Sequence, residues 1–297
     1  MFDLTVEDYS LWGETGVVLQ VGRYRIQVST EIPSVSRHLS ELYAKDCFDK
    51  VDGNIDFHVS LKASKGFRRW FRKQVVFTFD GYTPFLPLPF NQAPALFEWG
   101  LNWCIANHSH QYLVVHAAAI EKNGVTIIFP GTPGSGKSTL CASLVCSGWR
   151  LLSDEMALIS VDTGMVHALA RPISLKNESI HIIKHFFPEN AMGEVVNDTA
   201  KGSVSHLRPP DESVINVLLP AKPTHVIFPK YMKGSETLLK KTRKGRALLK
   251  VAENCFNYNV LGDKGFELLS QTIDRCKCYE FNYEKLEEAL IVMDGLD

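Results

Sequence analysis

One stretch of the sequence decides the fold. It begins with an apolar β-prone run, passes through a glycine-rich loop and enters a helix-prone segment: Val125-Thr126-Ile127-Ile128-Phe129-Pro130-Gly131-Thr132-Pro133-Gly134-Ser135-Gly136-Lys137-Ser138-Thr139. From Gly131 onward the spacing is G-x-x-x-x-G-K-[ST]. Apolar residues at helical spacing follow, and Gly148 can end that helix with a positive φ. Strand, loop and helix in this order predict an α/β protein.

A loop of this composition is suited to phosphate groups. Glycines let successive backbone N–H groups point inward, and the N-terminus of the next helix adds about half a positive charge. We therefore predict that residues 131–139 bind a nucleotide. Lys137 would bridge the β- and γ-phosphates, and the Ser138 hydroxyl would enter the shell of a Mg²⁺ ion. ATP and Mg²⁺ are the predicted cofactors.

Two adjacent acids, Asp154 and Glu155, end the next predicted strand, Leu151–Asp154. In a parallel β-α-β unit, the end of that strand would lie beside the phosphate loop. One carboxylate could bind Mg²⁺ and the other could accept the proton of a substrate hydroxyl, because side chains of a strand alternate in direction. The residues alone leave open which acid has which role.

The spacing of these groups resembles the catalytic domain of HPr kinase/phosphorylase, a bacterial serine kinase with a PEP-carboxykinase-like nucleotide fold. In that family a histidine lies 22 positions before the loop serine, and an Asp-Asp pair lies 16 and 17 positions after it, which gives His116, Asp154 and Glu155 here. The resemblance implies that Ser138 and Asp154 hold the metal. It also implies that Glu155 is the proton acceptor, with one methylene more than the family's Asp.

The branch called HPr kinase-related kinase A is more similar, and the similar blocks lie between about Trp70 and Gly265. They include Trp99–Cys104, His116–Ala118, Gly148–Glu155, Arg171–Asn177, His206–Pro210 and Phe256–Tyr258. This resemblance implies a cytoplasmic ATP-dependent kinase that phosphorylates a Ser or Thr hydroxyl of a peptide or small protein, for example a ribosomal peptide precursor. A small peptide chaperone is an implied companion, and a homo-oligomer is implied because HPr kinases form hexamers. The Pro-Gly-Arg-Asn segment used for dephosphorylation has no match, so phosphorylase activity is not expected.

Four further side chains are candidates for the reaction. Transfer of a phosphoryl group requires positive charge over its oxygens, and Arg208, held by two prolines, is the preferred source. Lys176 and Lys201 come next, because they lie in segments expected to be surface loops. Ordinary solvated charges are the alternative for each. His116 could orient Glu155 or the acceptor hydroxyl, and a buried core histidine is the alternative.

The chain of 297 residues is expected to have two parts: residues 1–95, a β-rich region packed on the core, and residues 96–297, an HPr kinase-like ATP-binding catalytic domain. Patterns in the first part predict a hairpin around Gly22-Arg23 and strands at 56–61 and 75–79. Patterns in the second part predict a helix over 95–107, strands over 112–120, 125–130, 157–161, 214–219 and 225–229, and a helix over 283–293.

The composition narrows the function. Lys and Arg total 32 and Asp and Glu 33, and this balance argues against nucleic acid as the general partner. The start of the chain lacks the order of a secretory signal, and no run of about 18 apolar residues predicts a membrane span. Seven scattered cysteines predict free thiols in a reducing cytoplasm. Two basic runs, 68–73 and 240–246, are expected to be solvated turns, and binding of nucleic acid or of an acidic peptide is the alternative.

Two other functions fit the same motifs. A non-catalytic nucleotide-sensing module that binds a peptide or chaperone would keep residues 131–138 but would not need Glu155 or Arg208. A kinase for a small metabolite such as free serine would turn over with the amino acid alone.

Overall fold

The computed structural model describes residues 12–13, 15–64, 72–132 and 134–297. Pro133 of the predicted loop, residues 68–71 of the first basic run and the first residues of the chain lie outside the described residues. Helix and strand take 34% and 33% of the chain, so the protein belongs to the mixed α/β class and has several sheets. Within the described ranges, none of the helices combines the length and apolarity needed to cross a bilayer.

The strands and helices of the described chain have the following bounds. The strands are β1 (Val17–Val21), β2 (Tyr24–Thr30), β3 (Phe48–Asp49), β4 (Phe57–Ala63), β5 (Gln74–Phe79), β6 (Leu88–Pro89), β7 (Tyr112–Val115), β8 (Ala117–Lys122), β9 (Val125–Pro130), β10 (Arg150–Ser153), β11 (Ala157–Ser160), β12 (Val166–His167), β13 (Ile173–Lys176), β14 (Val196–Thr199), β15 (Gly202–Leu207), β16 (His225–Tyr231), β17 (Leu238–Lys241) and β18 (Lys277–Tyr283). The helices are α1 (Pro33–Leu42), α2 (Ala93–His108), α3 (Lys137–Cys146), α4 (Glu178–Phe186), α5 (Asp211–Ile215), α6 (Lys244–Ala252), α7 (Tyr258–Arg275) and α8 (Leu286–Asp294).

The chain divides into two compact units that are interleaved in sequence. The first contains the residues up to Ile105 together with Leu175–Ile180 and Ala191–Arg208. The second contains Ala106–Ser174, His181–Asn190 and Pro209–Asp297. The predicted boundary after residue 95 describes a contiguous division, whereas the chain returns to the first unit twice after Ile105.

The first unit is built on a six-stranded sheet with the order β3-β1-β2-β4-β5-β6. The predicted hairpin around Gly22-Arg23 is confirmed, since β1 and β2 pair antiparallel with Val21 opposite Tyr24. The inward side chains of β2, those of Tyr24, Ile26, Val28 and Thr30, are buried and alternate with half-buried polar ones. A buried carboxylate links two helices: Glu98 of α2 accepts hydrogen bonds from the Tyr43 hydroxyl and lies 2.9 Å from the Nε2 atom of His38 in α1. A three-stranded sheet, β13-β15-β14, also contributes to this unit.

The second unit is built on another six-stranded sheet, with the order β10-β8-β9-β16-β18-β17. The central strands β9, β16 and β18 are parallel, and β8 joins β9 through a two-residue turn at Asn123-Gly124. Both turn residues have positive φ, 52° and 83°, as a tight hairpin of this kind requires. Helices α6 and α7 supply buried residues to one face of the sheet, and α3 contacts β8 and α8. The second unit also contains a three-stranded sheet with the order β12-β11-β7.

Most predicted elements are confirmed, and two are not. The segment 112–120 is not one strand, because it breaks at His116 into β7 and β8, which belong to different sheets. The strand predicted at 214–219 is wrong, because the short helix α5 and a turn occupy this region. Helix-start signals were present: two prolines precede α5, and Asp211 and Glu212 lie in its first turn, where acids interact favourably with the helix dipole.

Candidate functional site

The glycine-rich loop connects β9 to α3, as the sequence predicts. Gly134 and Gly136 have φ values of 84° and 87°, a region that side chains with a Cβ rarely adopt. Gly136 is the N-cap residue of α3, so no side chain caps the first N–H groups of that helix. Lys137, the first residue of α3, is 7% exposed.

Two tyrosines hold this loop, and both were missed by sequence reasoning. The backbone N–H of Tyr231, at the end of β16, donates to the carbonyl oxygen of Ser135 at 3.0 Å. The hydroxyl of Tyr283, at the end of β18, donates to the carbonyl oxygen of Gly136, also at 3.0 Å. Burial raises the pKa of Tyr283 well above its ordinary value, so this hydroxyl keeps its proton. A Cβ on Gly136 would lie 2.5 Å from the same hydroxyl oxygen, which explains the need for glycine here.

Features of the loop fit a bound phosphate. The Oγ atom of Ser135 is buried and has no hydrogen-bond partner among the described residues. A Cβ on Gly131 would lie 2.8 Å from that oxygen, so the loop closes tightly around it. The N–H groups at the start of α3, the buried ammonium of Lys137 and the hydroxyl of Ser135 are all donors suited to phosphate oxygens. Ser138 and Thr139 are half-buried in the first turn of α3.

The sheet brings the two acids and His116 to the same edge as the loop. Strands β9 and β10 run in the same direction, since each is antiparallel to β8, which lies between them. The sequence predicts that the acidic strand ends beside the loop; in the structure β8 lies between β10 and the loop strand β9, because the hairpin at Asn123-Gly124 pairs β8 with β9. Two strand spacings correspond to about 10 Å of backbone. Ala117 pairs with Pro130, so His116 lies at the level where the loop begins.

Strand pairing on both sides fixes His116 relative to the acids. Val115 of β7 pairs with Ala157 of β11, and Ala119 of β8 pairs with Ser153 of β10. Residues 116–118 lie between these two pairings on one chain segment, and residues 154–156 lie between them on the other. The two short segments therefore face each other. Each segment crosses from one sheet to the other at this point. His116 and the two acids are thus neighbours by topology, although 38 positions separate His116 from Asp154.

Asp154 is buried and oriented. Its side chain is 5% exposed, and its Oδ2 atom accepts a hydrogen bond from the backbone N–H of Ser174 at 3.0 Å. Burial raises the pKa of the neighbouring Cys141 thiol well above its ordinary value, the Asp154 charge raises it further, and the Lys137 charge lowers it. Asp154 and Lys137 therefore act on the same buried group of α3. Glu155, the next residue, is half-buried.

The segment after α6 supports His116 and was not recognised as part of the site from its local pattern. The backbone N–H of His116 donates to the carbonyl of Asn254 at 2.7 Å, and the His116 ring packs against Phe256 with 5.5 Å between ring centroids. The side chain of Asn257 is 2% exposed. It accepts from the N–H of Val114 and donates to the carbonyl of Tyr112, which fixes β7.

A cleft of about 650 Å³ opens beside the glycine-rich loop. The loop forms one wall, and Asn254, Lys230 and the ends of β16 and β18 form another. Two cations of α6, Arg246 and Lys250, lie in it and approach the Oε1 atom of Glu280 at 3.3 and 2.6 Å. A hydrogen bond from Lys250 lowers the pKa of Glu280. The cleft is thus polar, charged and large enough for a small-molecule ligand.

The three predicted loop cations belong to the first unit, whereas the loop, His116 and the acids belong to the second. Lys201 is at the turn between β14 and β15, with its ammonium 5.0 Å from the centre of the Trp99 ring. Lys176 ends β13, and the next residue, Asn177, donates its N–H to the carbonyl of Ser203. Arg208 follows β15 at its other end. The length of β15 separates Lys201 from Arg208 by about 20 Å, so the two cannot contact the same phosphoryl group.

Comparisons with known proteins add one similarity. None of the curated proteins matches the chain. A family model matches residues 101–174, which contain His116, the glycine-rich loop and both acids, but cover only 74 of the 297 residues. The family to which this segment of the chain is similar is described as SynChlorMet cassette protein ScmC.

Proposed function

We propose that this protein is an ATP-dependent kinase of the HPr kinase-like, PEP-carboxykinase-like fold, which transfers a γ-phosphoryl group to a Ser or Thr hydroxyl of a peptide or small protein. One observation carries the proposal. The strand pairing places His116, Asp154 and Glu155 at the sheet edge where the glycine-rich loop begins. A phosphate cradle and a pair of carboxylates at the same sheet edge are the groups that phosphoryl transfer requires.

Each group of the site has a role in this proposal. Bound ATP·Mg²⁺ would supply the phosphoryl group and neutralise the charge that develops on it. The loop N–H groups, Ser135 and Lys137 would hold the phosphates, and Ser138 and Asp154 would hold the metal. Asp154 is suited to this because its carboxylate is already fixed by Ser174.

Glu155 would act on the acceptor. As the hydroxyl oxygen forms its bond to phosphorus and the bond to the leaving phosphate oxygen breaks, the hydroxyl proton would pass to the Glu155 carboxylate. His116, fixed through Asn254, would orient that carboxylate or the hydroxyl. Most of the rate would come from positioning and electrostatics, because the protein forms no covalent bond itself.

The substitution Glu155→Gln tests the proposal. It keeps the shape of the side chain but removes the proton acceptor, so we expect transfer to fall at least about 100-fold. Affinity for ATP·Mg²⁺, measured by calorimetry, should change by less than about threefold, because the loop and Asp154 are intact. Transfer is measured from γ-labelled ATP to peptides encoded near its gene, with mass spectrometry to locate the phosphoryl group. Glu267→Gln, an exposed change on α7, is the matched control.

Three results would contradict the proposal in different ways. Unchanged transfer in Glu155→Gln would remove Glu155 as the base. Nucleotide binding without transfer to any acceptor would favour the nucleotide-sensing module. Turnover with free serine and no peptide would favour a small-metabolite kinase.

A further inference from the structure

Strand β17 forms an edge of the sheet that carries the glycine-rich loop. Within the described residues it pairs only with β18, and it is the last strand in the order β10-β8-β9-β16-β18-β17. The N–H of Thr242 donates to the carbonyl of Cys278, and Lys240 lies opposite Glu280 two residues earlier. In an antiparallel ladder the backbone groups of the intervening residues point away. The N–H and C=O groups of Leu239 and Lys241 therefore face outward.

The outer edge is strongly basic. Lys241, Arg243 and Arg275 line a cleft of about 660 Å³ at the end of β17 and make no ion pair among the described residues. Two other lysines in this cleft are already engaged: Lys244 donates to the carbonyl oxygens of Ile273, Asp274 and Cys276 at the end of α7, and Lys277 pairs with Asp297. The lining contains only one carboxylate, that of Asp274.

One end of β17 is closer to the glycine-rich loop than the other. Leu238, at the start of β17, pairs with Asn282, which precedes the Tyr283 that holds Gly136. The basic cleft lies at the opposite end of β17. From Leu238 to Arg243 an extended chain covers about 17 to 20 Å. A polypeptide lying along β17 would therefore have one end near the phosphate loop and the other over the cations.

We propose that the outer edge of β17 is the docking site for an extended acidic segment of the acceptor polypeptide, which adds a strand to the sheet. The backbone of Leu239 and Lys241 would pair with the segment, and Lys240, Lys241, Arg243 and Arg275 would select Asp and Glu side chains. The proposal rests on the proposed kinase function. It specifies the substrate class: a polypeptide whose hydroxyl is at least about nine residues from its acidic run, because six strand spacings, about 29 Å, separate a strand added at β17 from β10, which precedes Glu155.

Charge selection is tested by binding without nucleotide. The probe is a fluorescein-labelled synthetic peptide with one serine and such an acidic run, and its match has Asn and Gln in place of the acids. Fluorescence anisotropy should give at least about tenfold tighter binding for the acidic peptide, with affinity falling as salt rises. The double variant Lys240→Glu/Lys241→Glu should remove this preference. Lys184→Glu/Lys264→Glu changes the net charge equally at exposed positions outside the edge, and should alter affinity by less than about twofold.

Strand addition is tested at Lys241. Lys241→Gln removes the charge and keeps the outward N–H, whereas Lys241→Pro removes both. We expect the proline variant to bind the acidic peptide about fivefold more weakly than the glutamine variant, because one backbone hydrogen bond is lost. That N–H is not used within the sheet, and an unchanged circular dichroism spectrum and thermal midpoint would verify that the fold is intact.

Several results would overturn the proposal. These are equal binding of the acidic and amide peptides, equal weakening by the two double variants, equal affinities of the two Lys241 variants, or tighter binding of an oligonucleotide of the same charge at this edge. Failure of the kinase function would look different. An acidic peptide that docks in wild type and in Glu155→Gln, yet is phosphorylated by neither, would count against the kinase and leave the docking site standing.

Discussion

The hydroxyl of Tyr283 shows how a single residue far along the chain shapes the glycine-rich loop. It lies 147 positions after Gly136 and donates to its carbonyl oxygen. Its ring stacks on Phe281, with 5.2 Å between centroids, and meets Tyr231 edge-on at 6.0 Å. The loop that begins α3 is thus tied to the ends of two parallel strands, and this holds its N–H groups in place before any ligand binds.

Tyr283→Phe should therefore weaken nucleotide binding without unfolding the protein. The ring contacts remain, but one hydrogen bond of about 0.5–1.5 kcal/mol is lost, so we expect a Kd for ATP·Mg²⁺ that is higher by about two- to tenfold. Tyr279→Phe, on the same strand, is the control and should leave the Kd unchanged. Calorimetry measures both. Equal affinities for wild type and Tyr283→Phe would mean that the tyrosine does not pre-organise the loop.

Sequence reasoning identified some residues of the site and missed others for one physical reason. The loop, Asp154 and Glu155 follow one another at short range, so their spacing alone predicts them. Tyr283 and Asn257 act through backbone groups more than a hundred positions away, and nothing in their local pattern indicates this. Only the strand order brings them to the site.

Among the secondary-structure elements, helix α2 packs closely against β5 because a glycine, Gly100, lies at the contact. Gly100 faces the ring of Phe77, which is 1% exposed, and a Cβ on Gly100 would overlap three atoms of that ring. In most helices alanine is better than glycine by about 1 kcal/mol. Here the close approach reverses that preference.

Gly100→Ala should lower the free energy of unfolding by about 1–3 kcal/mol, because a buried ring cannot move away without strain. Gly245→Ala in α6 is the matched control, since a Cβ there meets nothing within 4 Å. We expect that variant to be neutral or slightly stabilised. Denaturant titrations measure both. Equal effects of the two substitutions would show that α2 can shift away from β5.

The elements also show where periodicity is informative and where it is not. Helix α2 and strand β9 follow from their apolar spacing, and both are confirmed. The same reasoning extended one strand through His116, because periodicity does not reveal that a chain leaves one sheet for another. It also assigned the apolar residues of 214–219 to a strand, although Ile215 is 77% exposed and the segment is a helix and a turn.

In the molecule as a whole, the cysteines share one property, since none of them forms a disulfide. All seven are free, and four are fully buried: Cys104, Cys141, Cys276 and Cys278. Burial raises the pKa of Cys47 and Cys146 to about 11, and that of Cys255 and Cys276 to about 12. At pH 8 very little thiolate is therefore present at these four cysteines, and thiolate is the reactive form.

Labelling by Ellman's reagent at pH 8 should therefore be slow in the native protein and at least about tenfold faster in denaturant, where the pKa of a thiol returns to about 8.5. The native rate should rise steeply between pH 8 and 10, because the pKa values of Cys47, Cys146, Cys255 and Cys276 lie above this range. A reductant should not change the thermal midpoint, since no disulfide is present to break. One rapidly labelled thiol in the native state would contradict this assignment.

The two units were the part of the architecture least accessible from the sequence. The change from β-rich to α/β patterning near residue 95 lies ten residues before Ile105, where the first long segment of unit one ends. The later segments Leu175–Ile180 and Ala191–Arg208 are short, and their patterns do not differ from those of their neighbours. Membership of a compact unit depends on contacts distant in sequence, which single-sequence patterns do not contain.

This interleaving bears on how the protein is made. Ribosomes deliver a chain from its amino end, and a domain generally completes its structure once its last segment has emerged. The first unit needs strands β14 and β15, which emerge only after Ala106–Ser174 of the second unit. The first unit therefore stays incomplete while the loop and the acids are synthesised. It can finish folding only after the residues up to Arg208 have emerged.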